Sequence, residues 1–235
     1  MRDRSALGKL IGAYFALAFV GCAVPLALGH DPLRHPEPYR AWGLSGDLDD
    51  RTVAIALSIV AGLLVGVATI ASSRVLLRRS RSARALAGVL ASPIEGASSG
   101  VLVLLALASG VAEELFFRAL LVPHTGIVAS SVVFGLLHQV RGPGRWLWAS
   151  WAAVMGAIFA LLFVATGELV GAVVAHVLIN AQNLHYLRDG RHRVADGGQA
   201  RLLADDPHQA QPMRTRRTPT PLGGLLARAP RSRMG

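Results

Sequence analysis

The chain contains a single cysteine, Cys22, and only 16% of its 235 residues are charged. One thiol allows no intrachain disulfide and no Cys-x-x-Cys metal or redox site; set among Ala, Val and Phe, it reads as packing. A soluble domain carries about 25% charged residues, so this chain has too few to cover a water-facing surface. Aromatic residues are also sparse, at 6%, and acids are outnumbered 14 to 24. The resulting +10 lies at the ends and in one loop, with no interleaved aromatics. It is no nucleic-acid footprint, and nucleic acid is not an expected partner. What the chain has is apolar length: 52% hydrophobic residues and a mean hydropathy of +0.45. Between Val101 and Leu187 there are six charges, Glu113, Glu114, Arg118, Arg141, Arg145 and Glu168. The pattern reads as an all-α, polytopic transmembrane bundle.

A hydrocarbon core about 30 Å thick takes roughly 20 apolar residues of helix. Six spans are predicted: Leu10–Leu28, Val53–Ala71, Ala97–Val122, a shorter Ile127–Val140, Trp146–Ala165 and Leu169–Leu187. Trp146, Trp148 and Trp151 read as an interfacial belt at the start of the fifth. Residues 1–95 then hold two spans with an acidic outer and a basic inner loop, residues 96–188 form a core, and residues 189–235 form a tail. The tail is rich in Arg, Pro, Gly, Gln and Thr. It lacks the apolar surface to fold alone and is expected to be disordered.

Lys and Arg set the orientation. Twenty of the 24 fall in the N-terminus, the loops after the second and fourth spans, and the stretch from Arg188 onward; Arg34, Arg40 and Arg51 sit in the acidic first loop. Six spans with both termini cytoplasmic satisfy that split, and the Ala/Arg/Gly-heavy composition points to a bacterial inner membrane. Met1–Gly29 also has the form of a signal peptide. Its apolar stretch exceeds the usual length of roughly 7–15 residues, which favours an uncleaved anchor.

Ionisable groups inside a bilayer are costly and by default suggest function. The third span contains Gly110-Val-Ala-Glu113-Glu114-Leu-Phe-Phe-Arg118. Glu114 and Arg118 stand four apart on one face, acid before base, and make a structural clasp. Glu113 points about 100° away and has no such partner. The fourth span ends Phe134-Gly-Leu-Leu-His138, and the sixth contains His176-Val-Leu-Ile-Asn180, a histidine and an amide on one face. Taken singly, His138 reads as a cap and the His176/Asn180 pair as interhelical glue. Their depths nevertheless agree: at 1.5 Å per residue, Glu113, His176, Asn180 and His138 lie roughly 14, 12, 18 and 20 Å into the bilayer.

Four polar groups from three helices at one depth can line one cavity. Glu113 and an imidazole can hold and deprotonate a water, while a second imidazole and an amide stabilise an oxyanion. No Ser or Cys nucleophile is indicated: Gly-x-Ser-x-Gly is absent and Cys22 has no nearby base. Glu113, His138 and His176 also make a passable zinc set, although His-Glu-x-x-His is absent. No cofactor is expected, with zinc as the alternative.

These residues resemble the CPBP family, the CAAX prenyl protease and bacteriocin-processing (Abi-type) intramembrane endopeptidases. Its pattern is Glu-Glu-x-x-x-Arg, Phe-x-x-x-His and His-x-x-x-Asn, here Glu113, Glu114 and Arg118; Phe134 and His138; His176 and Asn180. Thr166-Gly-Glu-Leu-Val-Gly-Ala-Val-Val-Ala-His176 is similar to the family's approach to its third motif. The resemblance covers about Ala97 to Leu187. It implies a helical bundle around a cavity and a glutamate-dependent endopeptidase. In it, Glu113 and His138 activate water, His176 and Asn180 form the oxyanion site, and Glu114, Arg118 and Phe134 support them. It implies a membrane-associated protein or peptide as substrate: a prenylated tail, a bacteriocin-type peptide or a C-terminal sorting segment. Two rivals are a non-catalytic immunity or scaffold protein of the same fold and a proton-relaying transporter. Retention of Glu113 and both histidines counts against the first, and the lack of a visible inverted repeat against the second.

Overall fold

The computed structural model describes residues 4–36, 51–142 and 144–191, with side chains from residue 7 onward. The tail beyond residue 191 and most of the acidic first loop lie outside the described residues. Among the described residues, seven α-helices follow in order: α1 Arg4–Ala27, α2 Arg51–Arg79, α3 Arg81–Ala91, α4 Ser99–Glu114, α5 Val122–Leu137, α6 Arg145–Thr166 and α7 Val170–Arg188. A 3-10 turn at Ser92–Ile94 precedes α4, and a π-helical stretch, Leu115–Leu121, joins α4 to α5. No strand occurs among the described residues, where Arg34 and Glu168 form one isolated bridge pair.

The protein is an integral membrane protein of all-α class. Among the described residues, four helical stretches are long and apolar enough to cross a bilayer: Leu7–Ala27, Arg51–Arg79, Ser99–Leu137 and Arg145–Thr166. Their outward faces carry side chains such as Phe15, Phe19, Leu64 and Val128, each more than half exposed, as suits contact with lipid. The third stretch, 39 residues long, is a hairpin and not one rod. Gly126 breaks it at φ 82°, ψ 168°, a conformation open to glycine and strained for other residues. Beyond that turn Ser130 Oγ donates to the Phe117 carbonyl at 2.9 Å, a contact that a straight helix could not make across 13 residues. The expected fourth span is therefore the short arm of this hairpin. It ends at Leu137, about 17 Å past the turn, so that His138 caps it inside the bundle.

The helix α7, the sixth expected span, is 19 residues long. Its His176, Asn180, Gln182 and Asn183 lower its hydropathy, and neighbours on several sides shield it. The buried residues of α2 are Ser58, Gly62, Gly66 and Thr69, a stripe of small residues that faces α7. Small residues at such seams let helix backbones approach closely, which drives association where lipid removes the hydrophobic effect. Two expected loop regions hold structure of their own. The basic stretch after α2 contains α3, whose Arg84 turns back and donates to the Leu77 and Arg78 carbonyls that end α2. At the turn between α6 and α7, Glu168 is buried and faces Arg34 and Arg51, both at 3.4 Å. Backbone bonds from His35 to Gly167 (3.0 Å) and from Leu169 to Leu33 (2.9 Å) tie the segment after α1 to the same turn.

Candidate active site

The glutamate pair ends α4, where the helix widens into its π-helical stretch. Such stretches are rare and recur at functional sites because they re-aim the side chains beside them. Glu114 and Arg118 are completely enclosed, 0% and 1% exposed at the side chain, with Arg118 Nη1 3.1 Å from Glu114 Oε1. Arg118 Nη2 donates to the Gly156 carbonyl of α6 at 3.3 Å. The guanidinium also lies over the Phe134 ring, 4.4 Å from its centroid. Phe134 thus serves as a floor for the buried cation, and a quadrupole beneath a desolvated guanidinium is favourable.

Glu114 does more than pair with Arg118. The same Oε1 accepts a 2.7 Å hydrogen bond from His176 Nδ1. The spacing Glu-Glu-x-x-x-Arg shows the first partner; the second comes from a helix 62 residues away. His176 is further held by the Phe159 ring, stacked at 5.1 Å. His138 is fixed in the same manner, its Nδ1 donating to the Phe134 carbonyl at 2.7 Å. A carbonyl and an ionised carboxylate only accept, so each imidazole carries its proton on Nδ1. Both Nε2 atoms then turn toward one atom, Glu113 Oε2, at 3.5 Å for His138 and 3.8 Å for His176. That oxygen is buried and makes no hydrogen bond among the described residues. Separations of this length suit a bridging water better than direct contact.

Asn180 lies one turn beyond His176 and donates through Nδ2 to Ser109 Oγ at 3.0 Å. Glu113, His138, His176 and Asn180 all line one cavity of about 320 Å³. The sequence foresees those four, but not four further residues on its wall. Ser109 precedes Glu113 by four residues, so helical spacing carries a signal for it. Tyr14 comes from α1 and has none. Trp148 and Trp151, expected at the interface, turn inward to the cavity; Trp148 meets His138 edge-on at 6.1 Å. Of the three tryptophans, Trp146 is the one that stays outside, 56% exposed, beside Arg145. Polar groups aim inward at this level of α6, and the rings follow to enclose them. Among the described residues, no group of three His, Cys, Asp or Glu has the arrangement of a metal site.

No curated protein and no solved structure matches the chain. Residues 96–182 match the family described as Type II CAAX prenyl endopeptidase Rce1-like. That range begins just before α4 and ends within α7, so it holds all three motifs, the π-helical stretch and every acid and imidazole of the cavity. The segment that builds this site, residues 96–182, is therefore similar to the Rce1-like family.

Proposed function

We propose that the protein is an intramembrane endopeptidase that hydrolyses a peptide bond of a membrane-associated protein or peptide, using water activated by Glu113 and His138. The observation that carries this reading is the convergence of two oriented Nε2 atoms on Glu113 Oε2, a buried oxygen without a hydrogen bond. Water held between Glu113 and His138 attacks the scissile carbonyl carbon while Glu113 takes its proton. Asn180 Nδ2 donates to the oxyanion so formed, and the His176 imidazole lines the same site. Collapse of the tetrahedral intermediate breaks the C–N bond, and Glu113 returns the proton to the leaving amine. A smaller apolar pocket of about 100 Å³ shares Leu90, Trp148, Trp151, Asn183 and Leu187 with the cavity. It offers space for an apolar side chain beside the scissile bond.

Both termini on the cytoplasmic side of a bacterial inner membrane fit the basic-residue split, and the segment joining α1 to α2 would then face outward. The test is a comparison of membrane proteomes from wild-type and Glu113→Gln cells, followed by cleavage of the protein that accumulates with purified enzyme. Accumulation in the variant, with cleavage by wild type alone, is expected. Identical proteomes and no cleavage would leave the non-catalytic scaffold. Full activity after exhaustive chelation is expected; loss restored by zinc would replace this mechanism with a zinc-dependent one on Glu113, His138 and His176.

A further inference from the structure

The acids and imidazoles of the cavity all lie within residues 96–182, the segment that matches the endopeptidase family. Most of the wall of the small apolar pocket beside it comes instead from α2 and α3, residues 73–90, outside that segment. Toward this pocket α3 turns Ala83 and Ala87, and Leu86 and Leu90. Each pair is spaced four apart, so the two pairs lie along one side of the helix. The helix is also fixed in place. Ser80 Oγ accepts from the Ala83 backbone at 3.2 Å. Arg84 Nη1 donates to the Leu77 and Arg78 carbonyls at 3.0 and 3.2 Å. These bonds pin α3 to the end of α2, so the pocket is built before any substrate arrives.

We propose that this pocket is the subsite that selects the substrate: it takes one side chain of leucine or methionine size within two residues of the scissile bond, and Ala87 and Leu86 set its size. The assignment rests on the peptidase activity proposed above. Continuity gives the position. The pocket meets the catalytic cavity at Trp148, Trp151 and Asn183. Asn183 stands three residues past Asn180, roughly 4.5 Å along α7, and an extended peptide advances about 3.3–3.6 Å per residue. Volume gives the size. A dry cavity of about 150 Å³ lined by Leu, Ile and Phe holds a benzene ring. One of about 100 Å³ suits an aliphatic side chain and crowds an aromatic one. The polar residues on its wall give the chemistry, because they are turned to protein partners. Arg74 donates to Asn183 Oδ1 at 2.9 Å and to the Gln182 carbonyl at 3.3 Å, and it lies 3.7 Å over the Tyr186 ring. Ser73 Oγ donates to the Thr69 carbonyl at 2.8 Å. A glutamine side chain placed there would lose its water without a compensating partner.

The test uses full-length protein in detergent and quenched-fluorescent peptides copied from the protein that accumulates in Glu113→Gln cells. Each of the two residues on either side of the cleaved bond is replaced in turn by Ala, Leu, Met, Phe and Gln. At one position, Leu or Met is expected to exceed Ala roughly 10²-fold in kcat/KM, the discrimination that a few carbons in an apolar site can supply. Phe and Gln should be disfavoured at that same position. Ala87→Leu fills the pocket and should shift the preference there toward Ala. Leu86→Ala enlarges it and should admit Phe. The two variants move selectivity in opposite directions, so a merely damaged protein, which slows all peptides alike, cannot imitate the result. If Ala87→Leu does not fold, Leu86→Ala decides alone. No size preference at any of the four positions, or ratios that stay at wild-type values in the variants, would overturn the proposal. Failure of the peptidase reading looks different: Glu113→Gln would then cleave every peptide like wild type, whereas the size ratios are read among peptides on one enzyme.

Discussion

Glu114, behind the cavity, and Glu168, at the turn between α6 and α7, are both buried carboxylates facing guanidinium groups. Their surroundings differ completely. Arg118, the partner of Glu114, is itself 1% exposed at the side chain, and the carboxylate also anchors His176. The partners of Glu168 reach it from solvent, with Arg34 and Arg51 about half exposed at 3.4 Å. Breaking an enclosed pair strands a charge and costs about 3–5 kcal/mol. Pairs with solvated partners contribute only about 0–1 kcal/mol. The same chemistry thus makes a rigid support for an imidazole at one level of the bundle and a loose clasp at the other. Glu113, next to Glu114 in the chain, is a third case: among the described residues it faces two imidazoles and makes no ion pair with a guanidinium.

The sharpest way to break this comparison is to separate the adjacent glutamates. Glu113→Gln keeps the shape and removes the base, so cleavage should vanish while melting temperature and membrane abundance stay at wild-type values; turnover at the wild-type rate would refute the assignment. His138→Ala should behave alike. Asn180→Ala retains the base and loses an oxyanion donor, and its kcat should fall on the order of 10²–10³. Glu114→Ala should instead lower thermal stability, by about 3–5 kcal/mol in a reversible unfolding assay, with activity lost as His176 comes free. If Glu114→Ala melts like wild type, the enclosed pair is not the support described. Glu168→Gln is expected to cost no more than about 1 kcal/mol, because both arginines remain solvated.

The pH dependence of that last variant sharpens the contrast further. Burial pushes the Glu168 carboxyl above its ordinary value, and Arg51 and Arg34 offset only part of the rise. A carboxyl raised on folding binds its proton more tightly in the folded state. Its contribution is fully present below the unfolded value and is lost as pH rises through the folded one. Wild type should therefore gain stability relative to Glu168→Gln as pH falls from neutral toward the ordinary carboxylate range. Parallel melting curves for the two proteins over that interval would contradict the buried setting of Glu168.

Much of the site was legible because helical spacing is local. Four-residue intervals pair Glu114 with Arg118 and His176 with Asn180, and an equal depth for His138 follows from counting residues inward. The Glu114–His176 bond was not legible, since nothing in either motif says which neighbour a second carboxylate lone pair will meet. Trp148 and Trp151 misled for a related reason. An indole near a span's end suits the interface by composition, but the cavity it meets is built by other helices. The short arm ending at His138 was indicated by its length, and the reversal at Gly126 needed the coordinates to show it.

Sequence alone determined the membrane class, the helical character and the identity of the four polar groups at one depth. Those features depend on composition and on the 3.6-residue period, which act within a single segment. Tertiary structure decided the atoms: which nitrogen of each imidazole faces Glu113, that Glu114 serves two partners, and that α1 brings Tyr14 to the cavity. Such choices depend on how the helices pack against one another. In a bilayer, where lipid is as apolar as leucine, that packing rests on the close fit of small residues such as Gly21 and on shared hydrogen bonds. Neither leaves a periodic trace along the chain.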